Sequence, residues 1–209
     1  MTTTLNETDY QKFFEALLSG DSSECKAVVE DLIRRKITIL EIYEGLFRQS
    51  LYQIGDLWSK GQLSVAVEHV ATAIIESLIS QLQTRMDAQP KKRKKAFVSC
   101  VTSDLHQIGA RMVANLFELH GWESYFLGAN MPISELLQAI ESVKPDVVCL
   151  SIVLIEHLRG LEVTVGEIRS SHPNIPILVG GAAFSNIDPS TLHLNQVPNV
   201  AILQSIVQL

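Results

Sequence analysis

The sequence predicts a four-helix bundle followed by a Rossmann-like (flavodoxin-like) α/β domain with a five-stranded parallel sheet. Two observations carry that expectation. Up to about residue 86, apolar residues recur at three- and four-residue spacing, the period of an amphipathic helix; beyond residue 96, short β-rich runs alternate with amphipathic helical stretches. The change falls on Asp87-Ala88-Gln89-Pro90-Lys91-Lys92-Arg93-Lys94-Lys95, where a proline and five basic residues interrupt both patterns. The expected division is therefore a helical unit over 1–88, a basic linker over 89–95 and an α/β unit over 96–209. With no aromatic residue interleaved among its charges, the basic run reads as a solvated linker and not as a nucleic-acid contact.

In the first part, helices are expected near 7–18, 22–35, 38–60 and 63–86, with breaks at Gly20, Lys36-Ile37 and Gly61. In the second, the runs Ala96–Val101, Ser124–Leu127, Asp146–Leu150, Ile175–Val179 and Val200–Leu203 have the composition of buried strands. The strand order 2-1-3-4-5 would put strands 1 and 3 side by side where the winding reverses, and ligands bind beyond the carboxyl ends at that point.

Composition limits what the chain can do. With 209 residues, 46% of them hydrophobic, it can bury one large core or two modest ones. Its 23 acidic and 17 basic residues give a net charge of −6 and argue against a surface devoted to nucleic-acid phosphates. The amino terminus lacks the basic-then-apolar layout of a signal peptide, and no uncharged apolar run is long enough to cross a bilayer; a soluble cytoplasmic protein is expected. Cys25, Cys100 and Cys149 form an odd set without C-x-x-C spacing, which indicates neither a disulfide framework nor a zinc site.

The chemistry-bearing run is Ser103-Asp104-Leu105-His106-Gln107-Ile108-Gly109, a D-x-H-x-x-G pattern between the first strand and the helix after it. A histidine in that loop can point one ring nitrogen at a metal while the carboxylate two residues earlier holds the other and raises its basicity. Glycine at 109 lets the helix start approach a large planar ligand or a phosphate-bearing tail. Ser151-Ile152-Val153 and Gly180-Gly181 fall after the third and fourth strands, at the same edge of the expected sheet. His120, His157, His172 and His193 have no comparable setting and read as surface or capping residues.

In order and at strand ends, these motifs resemble the cobalamin-binding domain shared by methionine synthase, corrinoid methyl carriers and base-off mutases, with S-x-V here where that family commonly has S-x-L. The resemblance implies that His106 displaces dimethylbenzimidazole and becomes the lower cobalt ligand of a base-off cobalamin. It also implies that Asp104 orients His106, that Ser151 contacts the nucleotide tail, that Val153 of the same motif belongs to the cofactor-binding set, and that Gly109, Gly180 and Gly181 leave the tail room.

In the helical part, Trp58 is followed after nine residues by Glu68-His69, spacing that brings one helix end and the next helix start to a common junction. This W-x9-E-H pattern is similar to the capping bundle of MerR-type adenosylcobalamin photoreceptors. That similarity implies contacts of Trp58, Val65, Glu68 and His69 with the cofactor's upper face, Trp58 shielding the adenosyl group and Glu68 bonding its ribose. Light would then break the cobalt–carbon bond, and the lost contacts would alter an oligomer or a separate regulatory partner. Two departures qualify the resemblance. Few residues precede the bundle where those photoreceptors carry a DNA-binding domain, so direct nucleic-acid binding is not expected. Ser59 stands where their upper histidine follows the tryptophan, which points to an aquo photoproduct.

The expected function is thus a cobalamin sensor, with adenosylcobalamin as cofactor and light as the signal. A corrinoid methyl carrier, a light-independent cobalamin sensor and a cofactor-free interaction module are the alternatives. No residue set suggests hydrolytic or nucleophilic catalysis, and the chain is not expected to be an enzyme. The apolar ending Ile206-Val207-Gln208-Leu209 leaves little room for a long final helix and suggests a surface for self-association.

Overall fold

In the first unit, each helical stretch starts at a side chain that accepts from amides left without intrahelical partners. α1 (Glu7–Ser19) opens with a reciprocal box: Asn6 Oδ1 accepts from the Asp9 amide at 3.0 Å and Asp9 Oδ2 from the Asn6 amide at 3.1 Å. α2 (Ser22–Arg34) is capped by Asp21, and α3 (Ile39–Ile42) by a Thr38–Glu41 box. α3 runs through a π-helical turn, Tyr43–Arg48, into α4 (Gln49–Ser59) with helical dihedrals at both junctions, so the single helix expected over 38–60 contains a π-bulge. α5 (Val65–Gln83) starts at Ser64. Phe13, Leu17, Leu32, Leu46, Phe47, Ile75 and Ile79 close the core between the four stretches; each such burial is worth about 1.5–3 kcal/mol.

The computed structural model describes residues 5–86, 90–188 and 192–208, and the chain forms two compact units, Met1–Met86 and Asp87–Leu209. By length and hydropathy α5 could cross a membrane. It carries Glu68 and Glu76, however, and Ala71, Ile75, Leu78, Ile79 and Leu82 along it are buried in the bundle, which makes it a core helix.

The second unit is a parallel sheet, as the alternation of strand and helix implied, and its strand order is β2-β1-β3-β4-β5. Its strands are β1 (Lys95–Cys100), β2 (Glu123–Gly128), β3 (Val147–Ser151), β4 (Ile177–Gly180) and β5 (Val200–Leu203). Side chains alternate along β1. Phe97 packs with Val148, Leu150 and helices α7 (Ile133–Val143) and α8 (Leu158–Ser171) in one apolar cluster; Ala96, Val98 and Cys100 pack with α6 (Ile108–Leu119) in another. Register places Cys100 beside Ser151, Ser151 beside Gly180 and Gly180 beside Leu203, so the carboxyl ends form one row.

Two details differ from expectation. Helices do not alternate with strands to the end: among the described residues between β4 and β5 there are only 3-10 turns, Ala182–Asn186 and His193–Gln196. Pro198, two residues beyond the second turn, prevents its continuation as a helix towards β5. The basic run also reaches into the sheet. Lys95 opens β1, its amide donating to Asp146 Oδ2 at 2.7 Å, and the Lys94 ammonium lies 5.1 Å from the Trp122 ring centroid. The cysteines are free and buried, and burial pushes the Cys25 and Cys100 thiols up to about 12.

Candidate functional site

Beyond Cys100, β1 turns sharply through Ser103, whose φ of 73° is in the left-handed region that residues with a side chain rarely adopt. The loop after β2 holds this turn in place. Asn130 Oδ1 accepts from the Ser103 amide at 2.8 Å, the Asn130 amide donates to the Asp104 carbonyl at 3.1 Å, and the Thr102 hydroxyl donates to the Met131 carbonyl at 2.8 Å. Asp104 is thereby driven inward to complete burial, with 0% of its surface exposed.

The buried carboxylate is saturated with donors. Oδ1 accepts from the His106 amide at 2.9 Å and from His106 Nδ1–H at 2.8 Å, while Oδ2 accepts from the Val153 amide at 2.7 Å. Burial by itself would raise this carboxyl; the bonds from His106 and Val153, with the nearby His157 imidazole, outweigh it and hold the group down to about 2 against an ordinary 3.8. Because the folded value is the lower, Asp104 contributes stability that is complete above the unfolded value and lost as pH falls towards 2. A shift of that size is worth on the order of 2 kcal/mol. The stability gap between the wild-type protein and Asp104→Asn, measured by urea unfolding, is expected to shrink progressively from about pH 5 to about pH 2. A gap independent of pH would contradict this account.

His106 sits at the surface with its ring 49% exposed and its Nδ1 edge fixed by Asp104. With Nδ1 engaged, Nε2, on the far side of the ring, is the nitrogen that could take a metal. A β-carbon built on Gly109 meets nothing within 4 Å, so the protein's own packing does not require glycine there. The open space at a helix start beside an oriented imidazole is the feature a large ligand needs. Leu105 and Ile155, both exposed, lie in the loops after β1 and β3 and add apolar surface that sequence reasoning missed.

The remaining motif residues divide by role. Val153 acts through its backbone amide, which any residue could supply. Ser151 ends β3 in the row with Cys100 and Gly180. Gly181, at φ 115°, has an explanation inside the protein: a β-carbon there would lie 2.0 Å from the Ile152 carbonyl oxygen, and one on Gly180 3.1 Å from that of Leu203. The glycine pair lets chain pack on chain, whatever room it also leaves for a tail.

His157 corrects the sequence reading, which took it for a surface or capping residue. It does precede α8, but its ring is only 18% exposed and its Nδ1 lies 3.1 Å from Asp104 Oδ2. The available signal was its position in the loop beyond β3, on the sheet edge that carries Asp104. His120, by contrast, directs Nδ1 to the Leu116 carbonyl at 2.7 Å and does cap a helix end.

In the helical unit, Trp58 near the end of α4 is 48% exposed and does not belong to the core, where a tryptophan on an amphipathic helix would ordinarily be placed. Val65 is also exposed, at the start of α5. Glu68 accepts from the Thr72 hydroxyl at 3.0 Å and from His69 Nδ1, so its carboxylate is held in one orientation. The Ser59 hydroxyl donates to the Asp56 carbonyl at 2.8 Å.

Comparison with known proteins gives matches over both units. A family described as the B12 binding domain matches residues 94–203, and a second family of the same description matches residues 10–83. The chain is 25% identical over 179 residues to the HTH-type transcriptional repressor CarH of Myxococcus xanthus, covering 85% of this chain and 58% of the repressor, so it spans little more than half of that relative. It is 22% identical over 183 residues to dimethylamine corrinoid protein 1 of Methanosarcina mazei, covering 86% of this chain and 84% of that protein. The monomethylamine corrinoid protein of Methanosarcina barkeri shares the fold, with a TM-score of 0.81 over 98% of this chain and 96% of that one at 13% identity.

Proposed function

The chain belongs to the B12 binding domain family, and from that premise we propose that it holds cobalamin base-off with His106 as lower ligand and acts as a corrinoid carrier. The observation that carries this reading is the His106–Asp104 pair: a buried, hydrogen-bonded carboxylate fixes Nδ1 of a surface imidazole beside a helix start that has room for a ligand. Alignment along most of dimethylamine corrinoid protein 1 supports carriage over sensing, and supports a non-catalytic chain that works with a separate partner. When bound, the corrinoid supplies a cobalt centre able to carry an alkyl group. The protein's residues orient His106, surround it with the apolar Leu105 and Ile155, and admit the nucleotide tail past Gly109. A cytoplasmic setting belongs to the same proposal.

An adenosylcobalamin photosensor is the second reading, favoured by the exposed Trp58 and Val65 and the oriented Glu68, and by the alignment with the CarH repressor. Its output would be a changed homo-oligomer or a changed contact with a regulatory protein. Loading the protein in darkness with methyl-, hydroxo- and adenosylcobalamin, then recording absorption spectra and molecular mass before and after green light, separates the readings. A carrier takes up all three forms base-off with similar affinity and keeps its mass under light. A sensor prefers adenosylcobalamin and changes mass. Base-on spectra throughout would remove His106 ligation from both.

Two variants extend the test. Glu68→Ala is expected to weaken adenosylcobalamin binding more than hydroxocobalamin binding if the photosensor reading holds; equal loss in titrations would remove the ribose contact. Gly109→Ala should be neutral or stabilising by up to about 1 kcal/mol in the apo-protein, because alanine is the better helix former, while lowering cobalamin affinity. Unchanged affinity would show that the space beside Gly109 is not used.

A further inference from the structure

We infer that the amino end of the parallel sheet, opposite the edge that carries His106, is a docking surface for an acidic segment of a partner protein that inserts one apolar side chain. The inference does not depend on cobalamin, and it stands or falls apart from the reading of His106.

The basic run is held against the sheet. The Lys92 amide donates to the Gly121 carbonyl at 2.8 Å, the Glu123 amide donates to the Lys94 carbonyl at 2.8 Å, and the Lys94 ammonium lies over the Trp122 ring. Lys91, Lys92, Arg93 and Lys94 are exposed, and among the described residues none of the four forms an ion pair. The sequence offers no aromatic residue within the run; the fold supplies Trp122 from the turn between α6 and β2. Charge is also one-sided. Beyond residue 95 the chain carries ten acidic and four basic residues, so the strip is a basic island on an acidic unit. An acidic partner is repelled elsewhere and drawn here, which fixes where it lands.

Next to the strip, at the ends of α7 and α8, lies a cleft of about 490 Å³ whose lining includes Ile140, Pro145, Pro173, Ile175 and Pro176. Both of its walls are pinned. Lys95 ties the strip to one wall, its amide donating to Asp146 Oδ2 at 2.7 Å and its ammonium to the Val143 carbonyl at 3.2 Å. Arg169 holds the other, with Nη1 donating to the carbonyls of Pro173 at 2.9 Å and Ile175 at 2.8 Å. A cleft fixed beforehand spares the occupant the cost of ordering it. Of the charged residues in the lining, Glu141 and Lys144 offset each other, and Asp146 already accepts from Lys95.

Strip and cleft together select the occupant. Charge alone would suit any polyanion. A nucleic-acid strand, however, has no aliphatic group for a cleft lined by proline and isoleucine, and a bilayer presents a plane, not one projecting side chain. A polypeptide carries carboxylates and an aliphatic anchor on the same segment, the polar rim and apolar centre of an ordinary protein interface.

The test uses the full chain and two fluorescein-labelled peptides, glutamates around one central leucine and the same peptide with serine in its place, titrated by fluorescence anisotropy. Wild type should bind the leucine peptide roughly tenfold more tightly, as burial of one aliphatic side chain provides. Affinity should fall as salt rises from about 0.1 M to about 1 M, which shortens the screening length from about 10 Å to about 3 Å. Lys91→Glu/Lys92→Glu/Arg93→Glu should weaken both peptides roughly tenfold, as loss of several surface ion pairs implies, and flatten the salt dependence. Ser171→Trp, at an exposed position of the cleft lining, should remove the preference for leucine and keep the salt dependence. All four altered positions are exposed, so circular dichroism should match wild type. Equal affinity for the two peptides, no response to charge reversal, or tighter binding of an oligothymidylate or of phosphatidylserine vesicles than of the leucine peptide would overturn the inference.

Discussion

Substituting His106 with alanine is expected to abolish the axial nitrogen signature in the electron paramagnetic resonance spectrum of cob(II)alamin-loaded protein and to weaken cobalamin binding by at least about 100-fold. The magnitude follows from the outer partners of metal-bound histidines, whose loss alone typically costs 10–100-fold; removal of the ligand itself should reach the top of that range or pass it. The fold should survive, because the ring is half exposed and contributes little packing. Some destabilisation is still expected, on the order of 1 kcal/mol, since Asp104 loses one of its donors while remaining buried. Free imidazole should partly restore the axial nitrogen signal. A spectrum identical to wild type would place the lower ligand elsewhere.

Gly181→Ala is expected to be the most destabilising single substitution considered, at about 3 kcal/mol or more. Its β-carbon would stand 2.0 Å from the Ile152 carbonyl oxygen, and φ of 115° is foreign to residues with side chains. Forced backbone conformations cost about 1–3 kcal/mol, and overpacking a rigid interior adds about 1–3 kcal/mol. Against a typical domain stability of about 5–15 kcal/mol, this leaves a marginal α/β unit. Urea unfolding of the apo-protein measures it directly. The apo measurement also separates two roles: a glycine needed only for ligand clearance would tolerate alanine in the absence of ligand, whereas one needed for packing against Ile152 would not. Gly180→Ala, where the nearest atom is the Leu203 carbonyl oxygen at 3.1 Å, should cost less.

Local chemistry explains why so much of the candidate site is legible in the sequence. Asp104 and His106 are two residues apart, and a short side chain can reach its own backbone and near neighbours only over such separations. The W-x9-E-H pattern likewise correctly placed Trp58 at a helix end and Glu68 on the first turn of the next, because capping and helical period are short-range effects. The exposure of Trp58 is a different matter: amphipathic spacing favours burial of a tryptophan, and only packing of the bundle decides which side of α4 it occupies.

By itself the sequence determined the helical unit, the strands of a parallel sheet and the pairing of Asp104 with His106, because hydrophobic period, caps and strand-end motifs act within a few residues. The tertiary structure alone decided what surrounds Asp104. The Val153 amide and the His157 ring reach it across about 50 positions of chain, and Asn130 holds its loop from β2. It likewise decided why Gly181 has no side chain, since the Ile152 carbonyl that would collide with one comes from a neighbouring strand's loop. Such contacts depend on which backbone groups the folded sheet brings together, and a backbone amide or carbonyl has no identity in the sequence by which it could be recognised.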